Sequence, residues 1–412
     1  MAMTDESTNA RPVPTGVQLT PLDPAFQADP HAVLDELRER DPVHHDEQLG
    51  RWVLTRHDDV DALLRDRSLS VDPRNAGEGT FEKMFLYRAE EQDFQPSMLF
   101  ADPPYHTRLR GLVSKAFTPR AVEQMAPRIQ EIVDELLNVV AAGDGFDLIE
   151  SFAAPLPTIV IAEMLGVDPG ARADFKRWSD AVVMVFNPLL SAEERANAEE
   201  ASLALNRYFQ NAIAERRERP REDMINSLMH VEEGKDQLTD DEIVTMCNLL
   251  LTAGNVTTTD LIGNGVYALL SNPEQLRKLR EDPALIKNAI EEMLRYDSPV
   301  TQSGRTPMVD VEIGGCPIAR GQSVTPQLSA ANHDPDAYPD PHKFDISRAD
   351  THHHSFGGGV HYCLGAPLAR LEAQIAVSTI VRRFPSLRLS AEPVEHRKIP
   401  SFRGLATFPV LL

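Results

Sequence analysis

The stretch from Thr239 to Leu270 constrains the fold most, because it reads as one uninterrupted helix. Thr239 with Glu242 three residues on forms a capping box, and Asn272-Pro273 ends the element. At 1.5 Å per residue it runs on the order of 45 Å, long enough to cross a whole domain. Its middle is costly. Ala253-Gly254-Asn255-Val256-Thr257-Thr258-Thr259 combines glycine with four β-branched residues, all poor helix formers. A local cost of this kind in a central helix predicts a kink or a cavity. Ala253 and Thr257, four apart, share a face with Met246 and Leu250, so small side chains and a hydroxyl line whatever lies beside them. A tightly packed helix crossing also uses small residues.

Helical periodicity dominates elsewhere, at 30–38, 58–66, 119–142, 156–165, 171–185 and 192–218, with short strands at 51–55, 310–315 and 321–325. Residues 70–104 form a long irregular stretch around the apolar groups Met84-Phe85-Leu86 and Met98-Leu99-Phe100. The charge-rich run 215–221 reads as an exposed turn. No repeat or linker divides the chain. The expected organisation is a disordered tail over 1–16 and a single, mainly α domain with a minor β component over 17–412. Its 412 residues, 42% of them hydrophobic, can bury a large core. The formal net charge of -22 argues against nucleic-acid or anionic-membrane binding, so small molecules or locally docked proteins are the expected partners. Three cysteines with no C-x-x-C pair give neither a zinc site nor a disulfide framework. A reducing cytoplasm fits that usage. The first residues lack the basic and apolar regions of a signal peptide, and no run approaches the roughly 18 apolar residues of a spanning helix.

Ser355-Phe356-Gly357-Gly358-Gly359-Val360-His361-Tyr362-Cys363-Leu364-Gly365 places one cysteine at the end of a glycine-rich loop and the start of a helix. A helix amino-terminus favours thiolate over thiol, and a thiolate is a ligand for a soft metal or for haem iron. Taken alone, a buried structural cysteine accounts for it too. His106 and Arg110 lie four apart on one helical face. No acidic residue occurs over 103–122 or 351–371, which makes local basic surface in an acidic chain. Glu292 and Arg295 share one helical turn, a pairing common on exposed helices.

Together these segments resemble the cytochrome P450 superfamily of haem-thiolate monooxygenases, of the soluble bacterial type, over the chain from Pro30 onward. Phe356 to Gly365 matches the haem-loop pattern F-G-x-G-x-H-x-C-x-G at every fixed position. Glu292-Met293-Leu294-Arg295 matches the E-x-x-R helix, and Phe344-Asp345-Ile346-Ser347-Arg348 resembles the segment that adds an arginine to that pair. The resemblance implies a triangular helical fold with haem b (iron protoporphyrin IX) between the long helix and the cysteine loop. It implies Cys363 as the iron ligand, with Phe356, Gly357 and Gly365 shaping the loop. His106, Arg110, Arg305, His353 and His361 fall where the family places propionate partners, and Glu292, Arg295 and Arg348 form a structural triad.

On the long helix the family pattern A-G-x-[DE]-T-T meets Ala253, Gly254, Thr257 and Thr258, but Val256 occupies the acidic position. Thr257 is then the hydroxyl near dioxygen, and protons are expected through water, helped by Asn255 or Asp260. Ile318-Ala319-Arg320-Gly321 also lacks the proline that usually follows the isoleucine. The resemblance implies insertion of one oxygen atom from O2 into an apolar small molecule, such as a terpenoid, steroid or aromatic hydrocarbon. Electrons would come from a ferredoxin and its NAD(P)H-dependent reductase, docked on the acid-free surface of a monomer. Met84, Phe85, Leu86, Met98, Leu99, Phe100, Met184, Val185, Phe186, Leu250 and Val300 fall at the pocket walls. A haem-binding sensor or carrier, or a partner-independent haem-thiolate isomerase or dehydratase, is the alternative.

Overall fold

A computed structural model describes residues 12–86, 96–184, 190–234 and 236–412. The long helix spans Asp240–Ser271. Its capping box is formed: Thr239 Oγ1 accepts from the Glu242 N–H at 3.3 Å, and Glu242 Oε2 accepts from the Thr239 N–H at 2.9 Å. Asn272 caps the other end, and Pro273 opens the next helix. The costly middle stays helical without a break. Threonine hydroxyls there bond back one turn, Thr252 to Asn248 O at 2.8 Å and Thr259 to Asn255 O at 2.9 Å, which offers polar groups a partner inside the helix.

Around this central helix pack Tyr105–Ala116, Ala126–Val140, Pro155–Leu165, Arg172–Val183, Ala192–Glu218, Ile286–Tyr296 and Ala366–Arg383, which together bury one large apolar core. Glycine eases close packing against the central helix at two places. A Cβ at Gly263 would fall 2.6 Å from Ile149, and one at Gly265 2.5 Å from the Met293 sulfur. The expected helix over 119–142 is two, Pro119–Gln124 and Ala126–Val140, because Pro127 re-initiates a helix at its first turn.

The β component is small. Arg51–Leu54 pairs antiparallel with Val43–Asp46 and parallel with Ser323–Pro326, over a satellite core that includes Val43, Leu64 and Leu328. A second sheet joins Gly145–Asp147, Pro409–Leu411 and Arg388–Leu389. Arg216 lies within the expected helix, Ala192–Glu218, but its side chain is buried rather than exposed as the charge-rich run 215–221 suggests. It is 1% exposed, donating to Gly166 O at 2.6 Å and pairing with Asp223 at 3.0 Å, so its charge is held by partners outside its own helix. Within the expected tail, Thr15 Oγ1 and the Gly16 N–H both donate to Asp46 Oδ1 at 2.9 Å; residues 1–11 lie outside the described residues. No described helix is long and apolar enough to cross a membrane.

Candidate active site

The cysteine loop is fixed from both sides. Gly357 and Gly359 adopt positive φ (67° and 61°), and a Cβ at Gly359 would fall 2.3 Å from the carbonyl oxygen of Leu64. Only glycine lets the loop lie this close to the His57–Arg65 helix. The Cys363 N–H donates to Phe356 O at 3.0 Å. One side of Cys363 is accessible, while the rest is enclosed closely enough for desolvation to push its thiol up. The N–H groups of Gly365 and Ala366, and the Arg110 charge, pull in the thiolate direction.

Four nitrogen-bearing side chains gather beside this loop. The rings of His106 and His361 lie 4.1 Å apart. Arg110 Nη2 donates to Tyr362 O at 2.6 Å, and Arg305 lines a small cavity with His361. Burial, together with His106, Arg305 and Arg110, pushes the His361 imidazole down to about 3. Both ring nitrogens of His106 are buried without a partner, and among the described residues Arg110 donates to Tyr362 O and Arg305 to Ser303 Oγ and Gly304 O rather than to a carboxylate. Such a cluster is built for an anion.

His353 does not join them. Its Nε2 faces Glu291 Oε2 at 3.2 Å and its Nδ1 accepts from the Ser355 N–H at 3.2 Å, so both nitrogens are used and none is left for a propionate.

Glu292, Arg295 and Arg348 come together. Arg295 Nε and Nη2 reach the two oxygens of Glu292 at 2.8 and 2.9 Å, Arg348 Nε lies 3.2 Å from Oε2, and the Asp345 N–H donates to Oε1 at 2.9 Å. Both arginines also donate to carbonyls of the irregular segment: Arg295 to Asn332 and Pro341, Arg348 to Pro339 and Lys343. The triad therefore ties the segment before the cysteine loop to the Ile286–Tyr296 helix.

A model of the family "Cytochrome P450" matches residues 52–407. The chain belongs to the cytochrome P450 family. It is 42% identical over 403 residues to cytochrome P450 107B1 of Saccharopolyspora erythraea, across 95% of this chain and 97% of that one. With 6-deoxyerythronolide B hydroxylase of the same organism it shares 40% identity, over 94% and 97% of the two chains. The solved structure of PksS, the P450 of the bacillaene polyketide synthase of Bacillus subtilis 168, superposes with a TM-score of 0.87 at 36% identity, covering 95% and 98%. The chain is thus a P450 monooxygenase, an oxidoreductase that uses O2, an organic substrate and redox partners, and its cofactor is haem b. The residues present fit that group: an accessible sulfur with thiolate-favouring N–H neighbours lies beside an anion-ready set of His106, Arg110, Arg305 and His361.

The P450's central helix turns a small-residue face outward. Ala253 is exposed and Thr257 half-buried, while Met246 on the same stripe is buried in the core. Gly254 faces Ile161 of the Pro155–Leu165 helix, and Thr258 is buried. Val256 is buried with Val183, Met184, Ile399 and Phe402 in a separate apolar cluster. The two side chains expected to help proton delivery point elsewhere. Asn255 accepts from Thr158 at 2.9 Å and donates to Ser179 at 3.1 Å, and Asp260 pairs with Arg397.

The pocket residues divide. Met84 and Leu99 are exposed, whereas Leu86, Phe100, Met184, Leu250 and Val300 are half-buried. Met98 is 6% exposed and packs in the main core with Leu109 and Leu112. The Phe85 side chain, Val185 and Phe186 lie outside what the structure describes. Sequence reasoning missed Ile399 and Phe402, which carry no motif and reach Val256 only through the fold. It also missed Glu291 and Arg370, paired at 2.7 Å across 79 residues. The acid-free surface is smaller than expected, because Arg108 is taken by Asp236 and Glu242 at 2.7 and 2.6 Å, and Lys115 donates to Glu232 O at 3.1 Å.

Proposed function

We propose that this monooxygenase holds haem b through Cys363 Sγ, with His106, Arg110, Arg305 and His361 on the propionates, and that it hydroxylates a polyketide-derived lactone. The anion-ready set beside an accessible cysteine carries the first part. The substrate class rests on relatives named as 6-deoxyerythronolide B hydroxylase and as the bacillaene polyketide synthase P450. These names favour polyketide products over the terpenoid, steroid or aromatic hydrocarbon that apolar walls alone would admit.

When bound, a thiolate-ligated haem lets dioxygen accept two electrons and two protons and leave one oxygen atom in a substrate C–H bond. The chain's own groups do the remaining work. Gly365 and Ala366 N–H groups and Arg110 hold Cys363 toward thiolate against desolvation. Thr257 presents a hydroxyl on the open helix face, and its oxygen can accept from a water while it donates to Ala253 O. Val256 seals the neighbouring turn with apolar packing, so protons reach Thr257 through water rather than through an adjacent carboxylate. Met184, Leu250, Val300 and Phe402 supply apolar wall that excludes bulk water.

A ferredoxin and its NAD(P)H-dependent reductase in a reducing cytoplasm supply the electrons, with the exposed Arg120 on the docking face. Reduced protein with carbon monoxide should show the red-shifted Soret band of thiolate ligation, lost in Cys363→Ser. Macrolactones should then give the low-to-high-spin shift at lower concentrations than steroids or terpenes. A panel in which steroids bind most tightly would overturn the substrate class while leaving the ligand assignment intact.

A further inference from the structure

Behind the cysteine loop lies a second ionic group, separate from the Glu292 triad. Glu292 turns inward, while its neighbour Glu291 turns toward the Ala366–Arg383 helix. Glu291 Oε1 accepts from Arg370 Nε at 2.7 Å, and Oε2 accepts from Arg370 Nη2 at 2.8 Å, a two-pronged pairing with geometric specificity. His353 Nε2 lies 3.2 Å from the same Oε2. The remaining arm of Arg370 donates to the Tyr362 hydroxyl at 3.1 Å, and its guanidinium lies 4.5 Å from the centre of the Phe356 ring. Phe356 is the residue whose carbonyl receives the Cys363 N–H, and Tyr362 directly precedes Cys363. Arg370 therefore touches the loop at both points that set the cysteine's position.

We infer that Glu291 and Arg370 are positioning residues for the axial cysteine, and that the balance of their two charges sets how readily the haem is reduced. This rests on Cys363 being the ligand. The Arg370 contacts and the His353 bond hold the Glu291 carboxyl down to about 2, so the opposing charge is present throughout the working range. Arg370 and Glu291 side chains are 28% and 23% exposed, so water screens the pair only partly. A cation near the iron favours the reduced state and an anion disfavours it.

The test uses the full-length holoenzyme and two readouts: haem reduction potential without substrate, and the rate at which the red-shifted carbon monoxide band converts to its short-wavelength form in mild urea. Glu291→Gln should raise the potential and Arg370→Gln should lower it. Both should speed the conversion several-fold. Arg370→Lys should keep the potential near wild type yet convert faster, because it retains the charge but not the fork. Glu281→Gln, which removes the same charge from an exposed pair with Arg277, should change neither readout. Shifts of the same sign in Glu291→Gln and Arg370→Gln, or values matching Glu281→Gln, overturn the inference. A wild-type protein without the red-shifted band would instead remove the Cys363 assignment on which it stands.

Discussion

The Thr257 hydroxyl donates to the carbonyl oxygen of Ala253 at 2.7 Å, one turn back on the central helix. That bond fixes the hydroxyl on the open face while leaving its lone pairs for a water. Asn255 and Asp260 are engaged elsewhere, which leaves Thr257 as the residue assigned by the proposed function to steady protons there. Thr257→Ala should change stability by about 1 kcal/mol or less, because the site is only half-buried. Product formed per NADH consumed should fall several-fold, with peroxide rising, while Thr257→Ser keeps coupling near wild type. Equal coupling in the alanine variant would remove Thr257 from proton handling.

Val256 gives the complementary case. Its side chain packs with Val183 and Ile399, and a carboxylate there would be desolvated and without a partner. Val256→Asp should therefore cost roughly 2–5 kcal/mol in urea unfolding. The new acid would stay protonated near neutral pH, so coupling should not improve. Better coupling at undiminished stability would show that this position limits proton delivery.

In the buried triad, Glu292 and Arg295 are fully enclosed, and each arginine also holds carbonyls of the irregular segment. Removing one partner leaves an unpaired buried charge, a loss of about 3–5 kcal/mol. Arg295→Ala should show this in urea unfolding and should recover little haem on expression. Arg348→Ala, whose side chain is 11% exposed, should lose less.

What could be read from the sequence was whatever lies within a turn or a loop. The capping box of Thr239 and Glu242, the glycines at 357 and 359, and the spacing of Glu292 and Arg295 are local, and short-range chemistry dictates them. Pairings across the chain were silent. Glu291 looks like any helical acid until Arg370 meets it, and Arg216 looks solvated until Gly166 and Asp223 enclose it. His353 was misplaced for the same reason: its position in a pattern says nothing about which way the ring turns. The Val256 wall needed Ile399 and Phe402, which no periodicity connects to the central helix.

Burial also predicts a pH dependence. Glu372 is buried on the Ala366–Arg383 helix, one carboxyl oxygen has no partner, and desolvation pushes its carboxyl from 4.5 up to about 8. Folded chains then keep a proton that unfolded chains release. Stability should fall as pH rises from about 4.5 to about 8, by up to about 1.4 kcal/mol per pH unit from this group, and level off above. Glu372→Gln should flatten that slope in thermal melts across the window. An unchanged slope would place the pH dependence elsewhere, with Glu82 next, since burial also pushes it up to about 8.

The surface expected to receive a ferredoxin separates into two kinds of cation. Arg108 is engaged by Asp236 and Glu242, so it ties the Asp236–Gln237 strand to the start of the central helix. Arg120 is exposed, at the start of the Pro119–Gln124 helix. Arg120→Glu should slow reduction by an acidic surrogate ferredoxin several-fold at low salt. The difference should shrink as ionic strength rises, because added salt screens an exposed charge. Arg108→Glu should instead lower the melting temperature through repulsion from two carboxylates. Stopped-flow reduction across a salt series distinguishes them, and a salt-independent rate in wild type would exclude electrostatic docking on this face.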